Sequence, residues 1–201
     1  MIYRTVKLYD LLHSKIGKEG IEKILADFSC PLNKDVEDFV KKKAYDFERV
    51  GLSRTYLVYT YDEDENAVMC GMYALSPGVI ELDEGLTNKM KKKLLGTTYP
   101  IGKNIKSYLI GQLSKNYSNN NDRYITGEIL LELAFDRIRK NNVVVPSTVI
   151  HIDCKNVPQL RKFYEKYGFT YFHTNKSGLL VYLMPTSKLL DVEYKKTLTK
   201  G

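Results

Sequence analysis

The stretch from Ser107 to Cys154 constrains the fold of this chain more than any other. Two strand-like apolar runs, Ser107–Leu113 and Val149–Cys154, flank a helical pattern from about Gly127 to Lys140, in which Ile129, Leu130, Leu133, Ala134, Arg137 and Ile138 recur at helical spacing. A strand–helix–strand run of this length suits a right-handed parallel crossover, whereas strands joined by a tight turn return antiparallel. One parallel pair is therefore expected in the sheet.

The remaining pattern is antiparallel. Arg54–Tyr61 and Val68–Leu75 are rich in β-branched and aromatic residues and are separated by the acidic turn 62–66, which predicts a hairpin. Phe169–His173 and Leu179–Met184 flank Asn175-Lys176-Ser177-Gly178, a second hairpin turn. Helices are expected over Glu19–Phe28, from an Asn33 cap to about Val50, and over Val157–Tyr167 with Gly168 as terminator. Residues 78–104 read as a basic connection with one helical turn, placed near a site because long loops in compact domains are often functional. The fold class is α/β in the α+β sense: one mixed, mostly antiparallel sheet with a single parallel crossover and helices on both faces. A single domain over 1–201 is expected, with 186–201 as a C-terminal tail.

Composition narrows the function classes. With 201 residues, 43% of them hydrophobic, the chain can bury one sizeable core, and neither a repeat array nor a disordered chain fits. Cys30, Cys70 and Cys154 are odd in number and far apart, as reduced thiols of a cytoplasmic protein would be. No apolar leader follows Met1 and no window reaches the length of a membrane span, so neither export nor a membrane partner is expected. The net charge of +7 favours anionic partners without choosing between a nucleotide cofactor and RNA.

The segment from Cys154 through Asn156, Phe163, Tyr164 and Gly168 to Phe169 carries the most specific signal. It resembles the closing segment of the GNAT N-acetyltransferase superfamily: a strand, a polar residue, a helix with a Tyr, and a Gly-Phe step into the next strand. The resemblance extends over roughly residues 20 to 185 and implies acetyl-CoA as cofactor. It implies Tyr164 as the group that protonates the departing thiolate, help typically worth about 10² to 10⁴ in rate. It also implies main-chain contacts of Gln112, Leu113 and Ser114 with the pantetheine arm, and Asn156 as a further cofactor contact.

Phosphates would lie at the helix that starts at Gly127, where unpaired N–H groups and the helix dipole favour an anion by up to ~2 kcal/mol. The family's Gln/Arg-x-x-Gly-x-Gly/Ala loop is not kept here. Asp122, Arg123, Tyr124, Ile125 and Thr126 precede the one glycine that matches, Gly127. Arg123, the Ile125 backbone and the Thr126 hydroxyl are then the expected substitutes. Each candidate has a structural alternative: Thr126 or Asn156 as a helix cap, Tyr164 as a core aromatic.

The general base is not identified. Glu81, Asp83 and Glu84 are candidates, as is an ordered water. Gly96 to Gly102-Lys103 miscounts as a phosphate-binding P-loop, and His13, His151 and His173 lack metal-ligand spacing. Lys41–Lys43 and Lys91–Lys93 read as solvated faces, and the sequons at Asn116 and Asn175 as unused.

The leading expectation is acetyl transfer to a primary amine, small or macromolecular, by direct attack on the thioester; a homodimer is compatible with it. Phe28-Ser29-Cys30-Pro31-Leu32, then a helix, then Arg54-Thr55-Tyr56 resembles the front half of GNAT toxins, which acetylate aminoacyl-tRNA and are held by an antitoxin. A tRNA acceptor is the first alternative. A non-catalytic GNAT-shaped adaptor binding RNA or protein is the second.

Overall fold

The computed structural model describes residues 1–99 and 102–189. β1 (Arg4–Lys7) runs directly into α1 (Leu8–Leu12), followed by α2 (Gly17–Ala26). α3 (Lys34–Asp38), a π turn (Phe39–Lys43) and α4 (Ala44–Arg49) make one continuous helical run. The hairpin β2 (Arg54–Tyr61) and β3 (Ala67–Glu81) leads to α5 (Asn88–Leu95) and β4 (Asn104–Lys115). A 3-10 turn (Ser118–Tyr124) precedes α6 (Gly127–Val144), β5 (Val149–Cys154), α7 (Pro158–Lys166), β6 (Thr170–Thr174) and β7 (Leu180–Pro185).

The strands form one seven-stranded sheet in the order β1-β2-β3-β4-β5-β7-β6. β4 and β5 are parallel, registered over Ser107↔Val149, Tyr108↔Ile150 and Leu109↔His151, as the crossover requires. The β1–β2, β2–β3, β5–β7 and β6–β7 pairs are antiparallel.

The chain divides into two compact units: Met1–Ser76 with Gly111–Ala134, and Pro77–Ile110 with the chain from Phe135 on. In the first, the paired residues Leu57 and Met72 join a cluster with Leu8, Ile21, Leu25, Phe28 and Val40 from α1, α2 and the helical run. Their neighbours Val58 and Gly71 face the other way. A Cβ on Gly71 would lie 2.9 Å from Leu130 of α6 and 3.0 Å from the Ser114 carbonyl, so helix and strand close onto bare backbone there. In the second unit, Val149, Val181 and Leu183 pack with Leu94 and Leu95 of α5. On the opposite face of β5 and β7, Tyr182 stands with Tyr164 of α7, whose ring meets Phe169; Phe169 in turn stacks on Phe135 of α6. Each unit therefore carries helices on both faces of its strands.

Several boundaries differ from the sequence reading for physical reasons. β1 and α1 were not expected, because four residues with two basic side chains carry no alternation signal. β3 runs for 15 residues through Ser76-Pro77-Gly78, which reads as a break; Gly78 keeps the strand close to its neighbours, since a Cβ there would lie 2.5 Å from His151 Cε1. α5 is a full helix of 8 residues, with the Thr87 hydroxyl accepting from the Met90 N–H and Gly96 ending it at φ 74°. Its four lysines hid the short apolar face of Leu94 and Leu95. The Asn33 backbone is extended at the start of α3, but its side chain makes no cap bond.

The expected tail begins as packed chain. Thr186 accepts no freedom from its position: its N–H and hydroxyl both donate to the Thr148 carbonyl, and Leu189 is buried. The rest of that tail, and Pro100 of the basic connection, lie outside the described residues.

Candidate active site

The first unit holds the expected phosphate-binding residues. Asn116, at the end of β4 and only 1% exposed, anchors the chain there. Its side-chain oxygen accepts from the Ser29 and Ser118 N–H groups at 2.9 and 3.1 Å, and its amide donates to the Met69 carbonyl at 2.9 Å. The 3-10 turn then bends through Asn119 and Asn120, both left-handed (φ 51° and 57°), a region Asn tolerates better than most residues. Lys115 pins the far side of the turn by donating to the Asp122 carboxylate at 3.0 Å and carbonyl at 3.1 Å.

Arg123 is exposed but engaged. Its guanidinium lies 3.3 Å from the Glu63 carboxylate and over the Tyr124 ring, whose hydroxyl also donates to Glu63. The Tyr124 hydroxyl, more than the Arg123 charge, holds the Glu63 carboxyl below its ordinary pKa. Ile125 is extended and buried, its N–H turned to the Asp122 carbonyl at 3.5 Å. Thr126 acts as the cap: its hydroxyl accepts from the Ile129 N–H at 3.3 Å, and its carbonyl receives the first helical bond, from Leu130. Gly127 opens α6 as expected, with the acid Glu128 also in the first turn. Gln112, Leu113 and Ser114 are half-buried on β4, beyond its last registered pair with β5; the Ser114 hydroxyl donates to the Lys115 carbonyl.

The second unit holds the residues expected at the thioester. β5 ends at the buried Cys154, whose thiol burial pushes up to about 11. A tight turn follows, with the Val157 N–H donating to the Lys155 carbonyl across Asn156. Asn156 is not the cap of α7: Val157 holds that position with no side-chain bond, and Pro158 follows it. The Asn156 side chain is exposed. Six residues into α7, Tyr164 is 7% exposed, its ring edge-on to Phe163 and Phe169.

Burial, assisted by Cys154, drives the Tyr164 phenol pKa above the ordinary tyrosine value. The group is therefore a neutral hydrogen-bond donor at any physiological pH. Its ring packs among Phe163, Phe169 and Tyr182.

The acids offered as bases do not gain from the structure. Glu81 and Glu84 are exposed and share Lys103, at 3.0 and 4.0 Å, and Asp83 is exposed. Lys41 and Lys42 pair with Glu37 and Asp38 one turn back. Lys89, Lys91, Lys92 and Lys93 on α5 make no ion pair among the described residues. Asn116 cannot take a glycan, since its amide is buried and used. Sequence reading missed Asn116, Lys115 and Glu63 as parts of the site's surroundings; each acts across a turn or a long separation that spacing does not reveal.

Comparison with solved structures decides the fold. The chain aligns with AtaT complexed with acetyl-methionyl-tRNAfMet at a TM-score of 0.66 and 18% identity, over 95% of this chain and 99% of that one. The fold is the GNAT fold. A Tyr-to-Phe mutant of the toxin KacT aligns at 0.65 and 18% identity over 94% and 98% of the two chains. AtaTR bound with acetyl-CoA aligns at 0.66 and 17% identity over 94% and 97%. No family model matches the sequence, and no curated protein does. At such identities the likeness is one of fold, and it extends over 94–95% of the chain in these three alignments.

Proposed function

We propose that this chain is an acetyl-CoA-dependent N-acetyltransferase that acts on a primary amine. The observation that carries the reading is Tyr164, a buried neutral phenol on the helix after β5 of a GNAT fold. Bound acetyl-CoA supplies the activated thioester. The donor set suits its phosphates in part: the first-turn N–H groups of α6 at Gly127 are of the right chemistry, and the Ile125 backbone adjoins them. Arg123 joins them only by exchanging Glu63 for a phosphate, whereas the Thr126 hydroxyl, which accepts from the Ile129 N–H, keeps its own O–H to donate.

Main-chain groups of Gln112 to Ser114 would pair with the pantetheine amides, a strand-like addition of ligand. Asn156 is exposed and caps no helix, so its amide can meet a ligand. Tyr164 donates its proton to the departing sulfur as the C–S bond breaks. Calorimetry with acetyl-CoA tests the reading: binding in the micromolar range supports it, and no heat at high micromolar concentration sinks it. Salt-sensitive RNA binding without acetyl-CoA binding would instead favour the adaptor.

A second reading narrows the acceptor to the amino group of aminoacyl-tRNA. It is favoured by the lysines of α5, which make no ion pair among the described residues and offer charge to RNA phosphates, and by the acetyl-methionyl-tRNAfMet complexed with AtaT. Expression without a partner gene separates the two. Growth arrest with acetylated aminoacyl-tRNA supports the toxin reading, and harmless overexpression opposes it.

A further inference from the structure

We propose that the cleft between α1 and α4 binds a phosphate group, with Arg54 and Arg49 as its cations and His13 at its wall. None of its lining residues belongs to the site described above, so the inference stands apart from the acetyltransferase reading. The cleft has a volume of about 330 Å³ and lies wholly within the first unit. Tyr9 lines it from α1, with His13 just beyond that helix; Glu48 and Arg49 line it from the end of α4, and Arg54 from the start of β2. Small-ligand sites run from about 300 to 1,000 Å³, so this one takes a single phosphate with the group that carries it.

Arg54 is held at one end only. Glu48, whose side chain is fully buried, accepts from Arg54 Nη1 at 2.9 Å through Oε1 and at 3.1 Å through its main-chain carbonyl. Its other oxygen, Oε2, accepts from the Thr55 N–H at 2.7 Å, so both carboxylate oxygens meet fixed donors. The guanidinium lies over the Tyr9 ring, with Cζ 5.0 Å from the centroid. Glu48 thus anchors Nη1 and Tyr9 supports the plane, while Nε and Nη2 make no hydrogen bond among the described residues. That open edge is the fork that pairs with two oxygens of a phosphate. Because the side chain is already tethered, binding an anion costs little further ordering.

Two further groups line the same space. His13 Nδ1 lies 2.8 Å from the Tyr9 carbonyl, which can only accept, so Nδ1 carries a proton and Nε2 is the nitrogen left over. Nε2 can donate to a phosphate oxygen when protonated and accept from a phosphate O–H when not. The ring is also held against Tyr9, at 4.3 Å between centroids. Arg49 is exposed, and its one ion pair, to Asp46 at 3.4 Å, is a surface contact that a ligand can replace at little cost.

The charge balance agrees. Two arginines against one glutamate leave the lining net positive. Bare carbonyls at the end of α4 would oppose an anion, but those of Asp46, Phe47 and Glu48 already accept from Val50, Leu52 and Gly51. Cations from two elements and a ring from a third suit an anion with oxygens in several directions, as phosphate has, better than a planar carboxylate. Such a phosphate belongs either to a free nucleotide or to RNA, and the test separates the two.

The test follows the His13 ring in ¹⁵N spectra of the full chain at fixed pH and low salt. Inorganic phosphate, adenosine 5′-monophosphate and a short single-stranded oligoribonucleotide are added in turn. The chain has 3 histidines, and a His13→Gln variant assigns the signal. The ring should shift and saturate. Saturation by the mononucleotide at concentrations no higher than the oligoribonucleotide needs identifies a free nucleotide, and saturation by the oligoribonucleotide alone, or well before the mononucleotide, identifies RNA.

Arg54→Lys keeps a charge against Glu48 but loses the fork. It should weaken the saturating probe by about tenfold or more, the loss of one charge-assisted hydrogen bond, with acetyl-CoA affinity unchanged by calorimetry. Should that variant not fold, Arg49→Gln, at an exposed side chain, takes its place with the same expectation. A ring unmoved by all three probes, or moved equally by sodium chloride at the same ionic strength, overturns the proposal. Binding within about twofold of wild type in the variant overturns it as well. So does a parallel loss of acetyl-CoA affinity, which would place the arginine at the cofactor instead.

Discussion

Asn116→Ala should destabilise the protein far more than an ordinary polar-to-alanine change. The side chain is 1% exposed and holds the Ser29 N–H and the Met69 carbonyl, both at 2.9 Å. Orphaning a buried partner costs about 1–3 kcal/mol, so two give about 2–6 kcal/mol. Water entering the vacated space can satisfy one of them, which makes about 3 kcal/mol the working figure. For a chain of this size each kcal/mol lowers Tm by about 2–4 °C, so a drop of about 6–12 °C is expected by differential scanning calorimetry. Because Asn116 also accepts from Ser118, the turn leading to α6 should loosen, and acetyl-CoA affinity should fall with Tm. A variant within about 0.5 kcal/mol of wild type, the range of an ordinary surface change, would refute the anchoring argument.

Tyr164→Phe keeps the ring in its aromatic cluster, so Tm should hardly move while turnover falls about 10²-fold or more at unchanged acetyl-CoA affinity; steady-state kinetics beside calorimetry checks both. Gly71→Ala drives a Cβ to 2.9 Å from Leu130 and 3.0 Å from the Ser114 carbonyl, and an overpacking cost of about 1–3 kcal/mol should appear in urea unfolding. The Glu37 carboxyl, held by Lys34 and the Cys30 N–H, is lowered to about 2. A carboxyl lowered by folding stabilises above its unfolded pKa and loses that stability as pH falls through its folded pKa. Urea midpoints should therefore decline as pH falls from the ordinary glutamate value of 4.5 to about 2, and decline less in Glu37→Gln.

What the sequence revealed follows from what acts locally. The crossover helix and β5 were legible because their periods are long and clean, and β5 begins and ends at the expected residues. α5 was read as a single turn because lysines outnumber its two buried leucines, and β3 was cut short because Pro77 and Gly78 look like a stop. Gly78 is in fact where strands and the His151 ring come close, which spacing cannot show. At the site, Tyr164 and Gly127 were visible through neighbouring residues on their own helices. Arg123 was visible as a cation but not as a partner of Glu63, because that pairing spans the hairpin turn. His151 was set aside for lacking a metal-ligand neighbour; its buried, unpartnered nitrogen exists only once β3 and β4 surround it.

The most direct test of the account is product analysis. The protein is incubated with acetyl-labelled CoA and charged tRNA, and the esterified amino acids are released and examined by mass spectrometry. An N-acetyltransferase yields N-acetylated product and free CoA thiol in equal amounts, both strongly reduced in Tyr164→Phe. Acetyl-CoA left intact with charged tRNA and with a panel of primary amines would contradict the acetyltransferase reading.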